Sequence, residues 1–292
     1  MNPYLKFVSE YARLIAEGKS FPLGGFTPAT HSALPKDAPR ALVFSPHPDD
    51  ECIVGALPLR LRRELKMNVV NVAVTLGSRK DRQAARLNEL RNACAYLGFG
   101  LIQTAENGLE KINLNTRKQS PALWSEAVKI IADIIVENRP QIIFLPHEGD
   151  WNSSHIGTHF LVMDALRKTP ESFCCWVCAD EFWAPMNDPN LMIEVSVADL
   201  ADLVAATSFH VGEVCRNPYH LRLPAWMQDN VRRGGELVGG QGGEPPNFVF
   251  ATLYRLNKWA HHKPCEERGQ IEKKEQAGKF LSCNDSLKLL FG

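Results

Sequence analysis

Apolar positions follow two alternating rhythms along the chain. Short continuous runs predict strands buried on both faces: ALVFS at 41–45, NVVNVAVTL at 68–76, LIQT at 101–104, QIIFLP at 141–146 and SFCCWVCA at 172–179. Helical spacing fills the intervals. It covers a stretch reaching about Lys66, RQAARLNELRNACAYLG at 82–98, ALWSEAVKIIADIIVEN at 122–138 and HIGTHFLVMDALRK at 155–168. Pro58 either kinks the first of these or marks its true start, and Gly98 is a C-cap signal. Strands alternating with helices of this length predict right-handed βαβ units. The fold class is therefore α/β, with a mostly parallel sheet and helices on both faces.

The ends read differently. Residues 1–20 predict a helix, and the Pro- and Gly-rich segment 21–40 predicts an extended arm. Beyond about residue 190 the order changes. LMIEVSVAD reads as a strand, LADLVAATSFHVGEVC as one helix and NPYHLRLPAWMQDNVRRGGE as partly helical. VGGQGGEPPN reads as a loop and NFVFATLYRL (247–256) as a late strand. With no internal repeat and no clean linker, the expected organisation is a helix and arm at 1–40, one α/β domain at 41–256 and a charged, weakly periodic tail at 257–292.

Composition narrows the function classes. The chain has 292 residues, with 33 Lys+Arg against 33 Asp+Glu. That balance argues against a nucleic-acid or anionic-membrane binder, which carries a basic excess. A hydrophobic share of 45% excludes disordered and collagen-like classes. No run approaches the ~20 apolar residues of a membrane-spanning helix, and the N-terminus lacks the apolar centre of a signal peptide. A cytoplasmic protein is expected. Four of the eight Cys fall in apolar runs, so Cys175 and Cys178 read as buried strand thiols, not a redox or zinc pair.

Ligands of parallel α/β sheets bind at the carboxyl ends of the strands. After ALVFS comes His47 within PHPDDE, followed by Asp49, Asp50 and Glu51. After QIIFLP comes HEGDWNSSH, with His147, Asp150, Asn152 and His155. Both loops fall at one sheet edge. Imidazole and carboxylate are ordinary zinc ligands, and a catalytic zinc keeps three protein ligands plus a water. His47 and Asp50 can converge on one ion while Asp49 stays free as a general base. Helix capping would account for the acids, but not for His47 between two prolines. For a third ligand, His147, Asp150, His155 and His159 all qualify at this point.

PHPDDE, followed by Arg86, Glu89, Leu90 and Ala93 on the next helix and then Leu97-Gly98, resembles the PIG-L/LmbE-like N-acetylglucosaminyl deacetylases over about residues 40–256. The resemblance implies a Rossmann-like three-layer fold. It implies Zn2+, or another divalent ion such as Fe2+, held by His47, Asp50 and His155, with Asp49 as general base. His159 then supports the site. The family's second motif, H-x-D-H, has Asn152 where its first His would stand and Ser154 where its Asp would stand. An amide can donate to an oxyanion but cannot protonate a leaving amine. Asp49, His147 or His210, a helix-end His similar to one in the family, would supply that proton. By the same resemblance Arg86 and Glu106 contact the sugar. Asp180, Glu181 and Trp183, after SFCCWVCA, could line the pocket, Trp183 stacking on a sugar face.

The expected function is zinc-dependent removal of an acetyl group from an N-acetylated amino sugar or its glycoconjugate, with Asp49 activating a metal-bound water. The rival is a sugar- or nucleotide-binding pseudo-enzyme that keeps the metal pocket, a reading Asn152 motivates. A dinucleotide enzyme is disfavoured, because PHPDDE stands where a glycine-rich turn would be needed. The expected partner is a small-molecule amino-sugar conjugate, with self-association through the arm or tail left open.

Overall fold

A computed structural model describes residues 2–27, 30–265 and 279–291. Helix α1 (Tyr4–Gly18) precedes strand β1 (Arg40–Ser45). Two short helices, α2 (Asp50–Ile53) and α3 (Ala56–Glu64), follow, then β2 (Asn68–Ala73), α4 (Gln83–Leu97) and β3 (Gly100–Gln103). The middle of the chain forms α5 (Leu114–Gln119), α6 (Pro121–Asn138), β4 (Ile142–Pro146), α7 (Ser153–Leu166) and β5 (Cys175–Asp180). The rest is β6 (Leu191–Glu194), α8 (Val197–Ser208), α9 (Val211–Val214), α10 (Leu223–Leu237), β7 (Ala251–Ala260), β8 (Lys263–Cys265) and β9 (Lys279–Leu281).

The sheet order is β3-β2-β1-β4-β5-β7-β6-β9, with β8 paired to β7. The first five strands are parallel. Strand β7 enters antiparallel between β5 and β6. The fold is thus the expected Rossmann-like α/β sandwich with a mostly parallel sheet. Alternation along β1 separates its two cores. Ala41 and Val43 join Leu57, Leu61 and Leu90 on one face, while Leu42 and Phe44 join Ile131, Ile135 and Leu161 on the other. Cys175 and Cys178 likewise face opposite layers as free thiols, which suits buried strand residues.

Local chemistry explains several boundaries. Pro58 is the third residue of α3, where its missing N–H costs no helical bond. Gly98 ends α4 at φ 74°, the left-handed conformation a C-cap needs. Ser196 caps α8 by accepting from the Asp199 N–H, so strand β6 stops at Glu194 and the expected run through Asp199 is helical instead. The helix expected across 200–215 is broken at Phe209 and His210, because His210 turns into the core. The C-terminal segment is also more ordered than expected. β7 runs to Ala260, and β8 and β9 extend the sheet. Residues 266–278 of the expected tail lie outside the described residues.

Candidate active site

The order β2-β1-β4 places a topological switch point between β1 and β4. The chain leaves β1 through PHPDDE and leaves β4 through the 147–152 loop into α7. Both His/Asp-rich loops therefore meet in the crevice where the connections diverge.

There His47 Nδ1, Asp50 Oδ2 and His155 Nε2 form a triangle. Its sides are 3.2 Å between the two imidazoles, 3.5 Å from His47 to Asp50 and 3.3 Å from His155 to Asp50. Zinc–ligand distances of about 2.0–2.2 Å in a tetrahedron imply ligand–ligand edges of roughly 3.3–3.6 Å. The three atoms thus have the spacing of one tetrahedral face, and two imidazoles with one carboxylate are a zinc-like donor set. The donor set fits a divalent cation. His155 is fully buried, and its Nδ1 faces Asp150 Oδ2 at 3.6 Å. A carboxylate behind a ligating His fixes the ring so that the other nitrogen points at the ion.

Electrostatics agree with a cation site. Burial disfavours charge on His155, but Asp50 and Asp150 outweigh it and raise the imidazolium to about 10. Burial pushes Asp50 up as well, yet His155 and His47 hold its carboxyl well below the usual range. Carboxylates that favour a proton on His155 also favour a metal ion in its place.

Asp49 stands beside this triangle at φ 119°, a conformation that needs support in a non-glycine residue. Its N–H donates to Glu51 Oε2 at 2.9 Å. Glu51 is itself clamped by His210 Nε2 at 2.7 Å and by the Cys52 thiol at 3.1 Å. One residue earlier, Arg86 Nη2 donates to the Pro48 carbonyl at 3.0 Å. The Tyr219 O–H donates to Asp49 Oδ2. Burial first, then the adjacent Asp50 charge, push the Asp49 carboxyl up to about 7.

A cavity of about 360 Å³ opens beside His47, lined by Thr75, Ser78, Gln83, Glu110, Asn113 and Ser154 among others. Arg86 lies against Gly77 in this wall. A Cβ there would stand 2.3 Å from Arg86 Nη1, and Gly77 has φ +83°. Glu106 is exposed on the turn after β3, and Glu110 supplies the acid in the wall. Asn152 caps α7, its Oδ1 accepting from the Ser154 N–H at 2.8 Å. His210 is fully enclosed, with Glu51 as its partner. His147 donates from Nε2 to the Ala184 carbonyl and accepts at Nδ1 from the Gly149 N–H. His159 is bonded to the Pro146 carbonyl. Glu181 accepts from Arg233 and from the Met186 N–H, and Trp183 packs edge-on against Tyr219 at 5.9 Å. Tyr219 gave no sequence signal: it lies 170 positions from Asp49, outside any motif.

Known proteins add a family. Residues 42–166 match the PIG-L family, described as GlcNAc-PI de-N-acetylase. Among solved structures, N,N'-diacetylchitobiose deacetylase from Pyrococcus horikoshii superposes with TM-score 0.55 at 16% identity, over 86% of this chain and 92% of that one. GalB, the 4-carboxy-2-hydroxymuconate hydratase from Pseudomonas putida, gives 0.54 at 17%, over 75% and 95%. A conserved protein of Thermus thermophilus gives 0.53 at 17%, over 74% and 93%. At these identities the structural likeness establishes the fold. No curated protein matches the sequence. The stretch that resembles the PIG-L family, residues 42–166, is thus set within a sheet that continues well beyond it.

Proposed function

We propose that the protein is a metal-dependent hydrolase that removes the acetyl group from an N-acetylated amino sugar or its glycoconjugate. The observation that carries this reading is the His47–Asp50–His155 triangle with Asp49 beside it. The family description, GlcNAc-PI de-N-acetylase, and structural neighbours named as diacetylchitobiose and pseudoaglycone deacetylases support it.

His47, Asp50 and His155 would hold the ion, with Zn2+ the best fit and Fe2+ an alternative. When bound, such an ion supplies Lewis acidity toward an amide carbonyl and acidifies a water. Asp49 takes the proton of the attacking water. The Asn152 amide, at the head of α7, donates to the oxygen on which charge develops. Asp49 then returns its proton to the leaving amine, because Asn152 cannot. Arg86 holds the Pro48 carbonyl and packs against Gly77, which lines the cavity that would take the sugar. His210 supports Asp49 through Glu51.

Asn152 also supports a second reading, a metal-keeping pocket without deacetylation. One structural neighbour is named a hydratase, so fold likeness alone does not choose the reaction. Metal analysis combined with acetate release across N-acetylglucosaminides separates the two. Asp49→Asn should keep the metal and lose about 10²–10⁴-fold in turnover, whereas His47→Ala should lose both. Stoichiometric metal without acetate release from any such sugar would establish the second reading.

A further inference from the structure

We propose that Tyr219 is a positioning residue for Asp49, and that α1 and Trp183, both outside the PIG-L match, hold it in place. The inference rests on reading Asp49 as the general base. Tyr219 opens a 3-10 turn, Tyr219–Arg222, that leads into α10. Its O–H donates to Asp49 Oδ2, leaving Oδ1 as the oxygen that takes a proton.

The Asp49 backbone is already fixed by Glu51 and Arg86. Its carboxylate torsion is not, because that torsion is intrinsically broad and roughly two-fold. A phenol bonded to one oxygen fixes it. Orientation matters twice here. With Asn152 unable to protonate an amine, the same carboxyl must face the attacking water and then the leaving nitrogen.

Two contacts hold the turn. The Trp183 ring meets Tyr219 edge-on, with centroids 5.9 Å apart and planes at 70°. The Trp183 backbone N–H donates to Asp150 Oδ2, the oxygen that faces His155. On the other side, Leu221 packs on Gly18 of α1, where a Cβ would stand 2.9 Å from Leu221 Cδ2. The Tyr11 O–H donates to Gln228 Oε1 at 3.1 Å and ties α1 to α10. Most of α1 is exposed, and among its described residues only Gly18 is buried. The N-terminal helix and the loop after β5 thus close on the residue that aims the base.

The test uses the metal-loaded full chain and two probes. One is p-nitrophenyl acetate, an activated ester whose leaving group needs no proton. The other is N,N'-diacetylchitobiose, followed by acetate release. Tyr219→Phe keeps the ring against Trp183 and removes the O–H. It should lower kcat by about 10- to 100-fold with KM and bound metal unchanged. In an Asp49→Asn background the same change should cost nothing further. Gly18→Leu, which pushes on Leu221, should lower kcat several-fold, and that loss should vanish in Tyr219→Phe. Unchanged kcat in Tyr219→Phe, or an equal loss with and without Asp49, overturns the inference. Full activity in Gly18→Leu overturns the part assigned to α1. Ester hydrolysis that responds to Tyr219, while neither N,N'-diacetylchitobiose nor any other N-acetylglucosaminide of the acetate-release screen is cleaved, sinks the proposed function and still supports Tyr219. Wild-type protein inactive toward both probes overturns both.

Discussion

Asn152 puts two demands on one amide. Its Oδ1 accepts the Ser154 N–H and caps α7, so only the NH2 remains to donate toward a developing oxyanion. Ser caps a helix about as well as Asn but cannot reach as far with a donor. Asn152→Ser should therefore leave Tm within about 2 °C and lower kcat on the order of 10²-fold. An unchanged kcat would remove Asn152 from the chemistry. Asp180 makes a different point, because both its carboxylate oxygens are buried without hydrogen-bond partners among the described residues. Burial holds its carboxyl well above the usual range, so the folded protein keeps a proton that the unfolded chain releases near pH 4. Stability is then lost progressively as pH rises above that unfolded value. Asp180→Asn has no such proton, so its Tm relative to wild type should climb between pH 5 and 8. A difference that stays flat or falls with pH would refute this. Sequence made two of the three candidate ligands legible, because PHPDDE packs His47, Asp50 and a candidate base into four residues, while the third, His155, was singled out only by the family resemblance. Tyr219 and the clamping of Glu51 were invisible, since both depend on contacts between distant segments.

Helices and strands were legible wherever a rhythm lasted several residues. β1, β4, α4 and α6 match their expected spans to within two residues. The break between α8 and α9 was not, since the apolar period runs through Phe209 unbroken. What breaks it is tertiary: His210 leaves the helix to reach Glu51. The loop from β2 to α4 shows how an element boundary shapes a site. Gly77 takes a left-handed φ and leaves room for the Arg86 guanidinium. An alanine there pays the left-handed penalty of about 1–2 kcal/mol and must displace the guanidinium tip. Gly77→Ala should lower Tm by roughly 2–6 °C, raise KM several-fold and leave bound metal unchanged. Loss of the metal, or a KM that does not move, would contradict a role for Arg86, behind Gly77, in binding the sugar.

The molecule as a whole is larger than its recognisable motif. One core layer joins residues of β1, α3 and α4 to Cys178 on β5, Tyr254 on β7 and Leu287 and Leu290 near the C-terminus. Arg60 of α3, almost fully buried, donates to the carbonyls of Glu194 and Asp285 and so binds the same distant segments. The charged, weakly periodic tail concealed this. Strands of three residues are too short to show a period, and a single 3-10 turn carries only two core leucines. If the C-terminal turn belongs to the same cooperative unit as β1, truncating it should destabilise everything at once. Leu287 is completely buried, so Leu287→Ala should cost on the order of 3 kcal/mol, or roughly 6–12 °C in Tm. Tryptophan fluorescence reports on all six Trp, among them Trp124, Trp176 and Trp259 in the layers of the sheet. The absorption spectrum of a Co2+-loaded protein would report on His47 and His155. Both should move by the same amount in one transition. A tail that melts first, leaving the cobalt spectrum at its wild-type midpoint, would show that the sheet beyond β5 is separable from the site it borders.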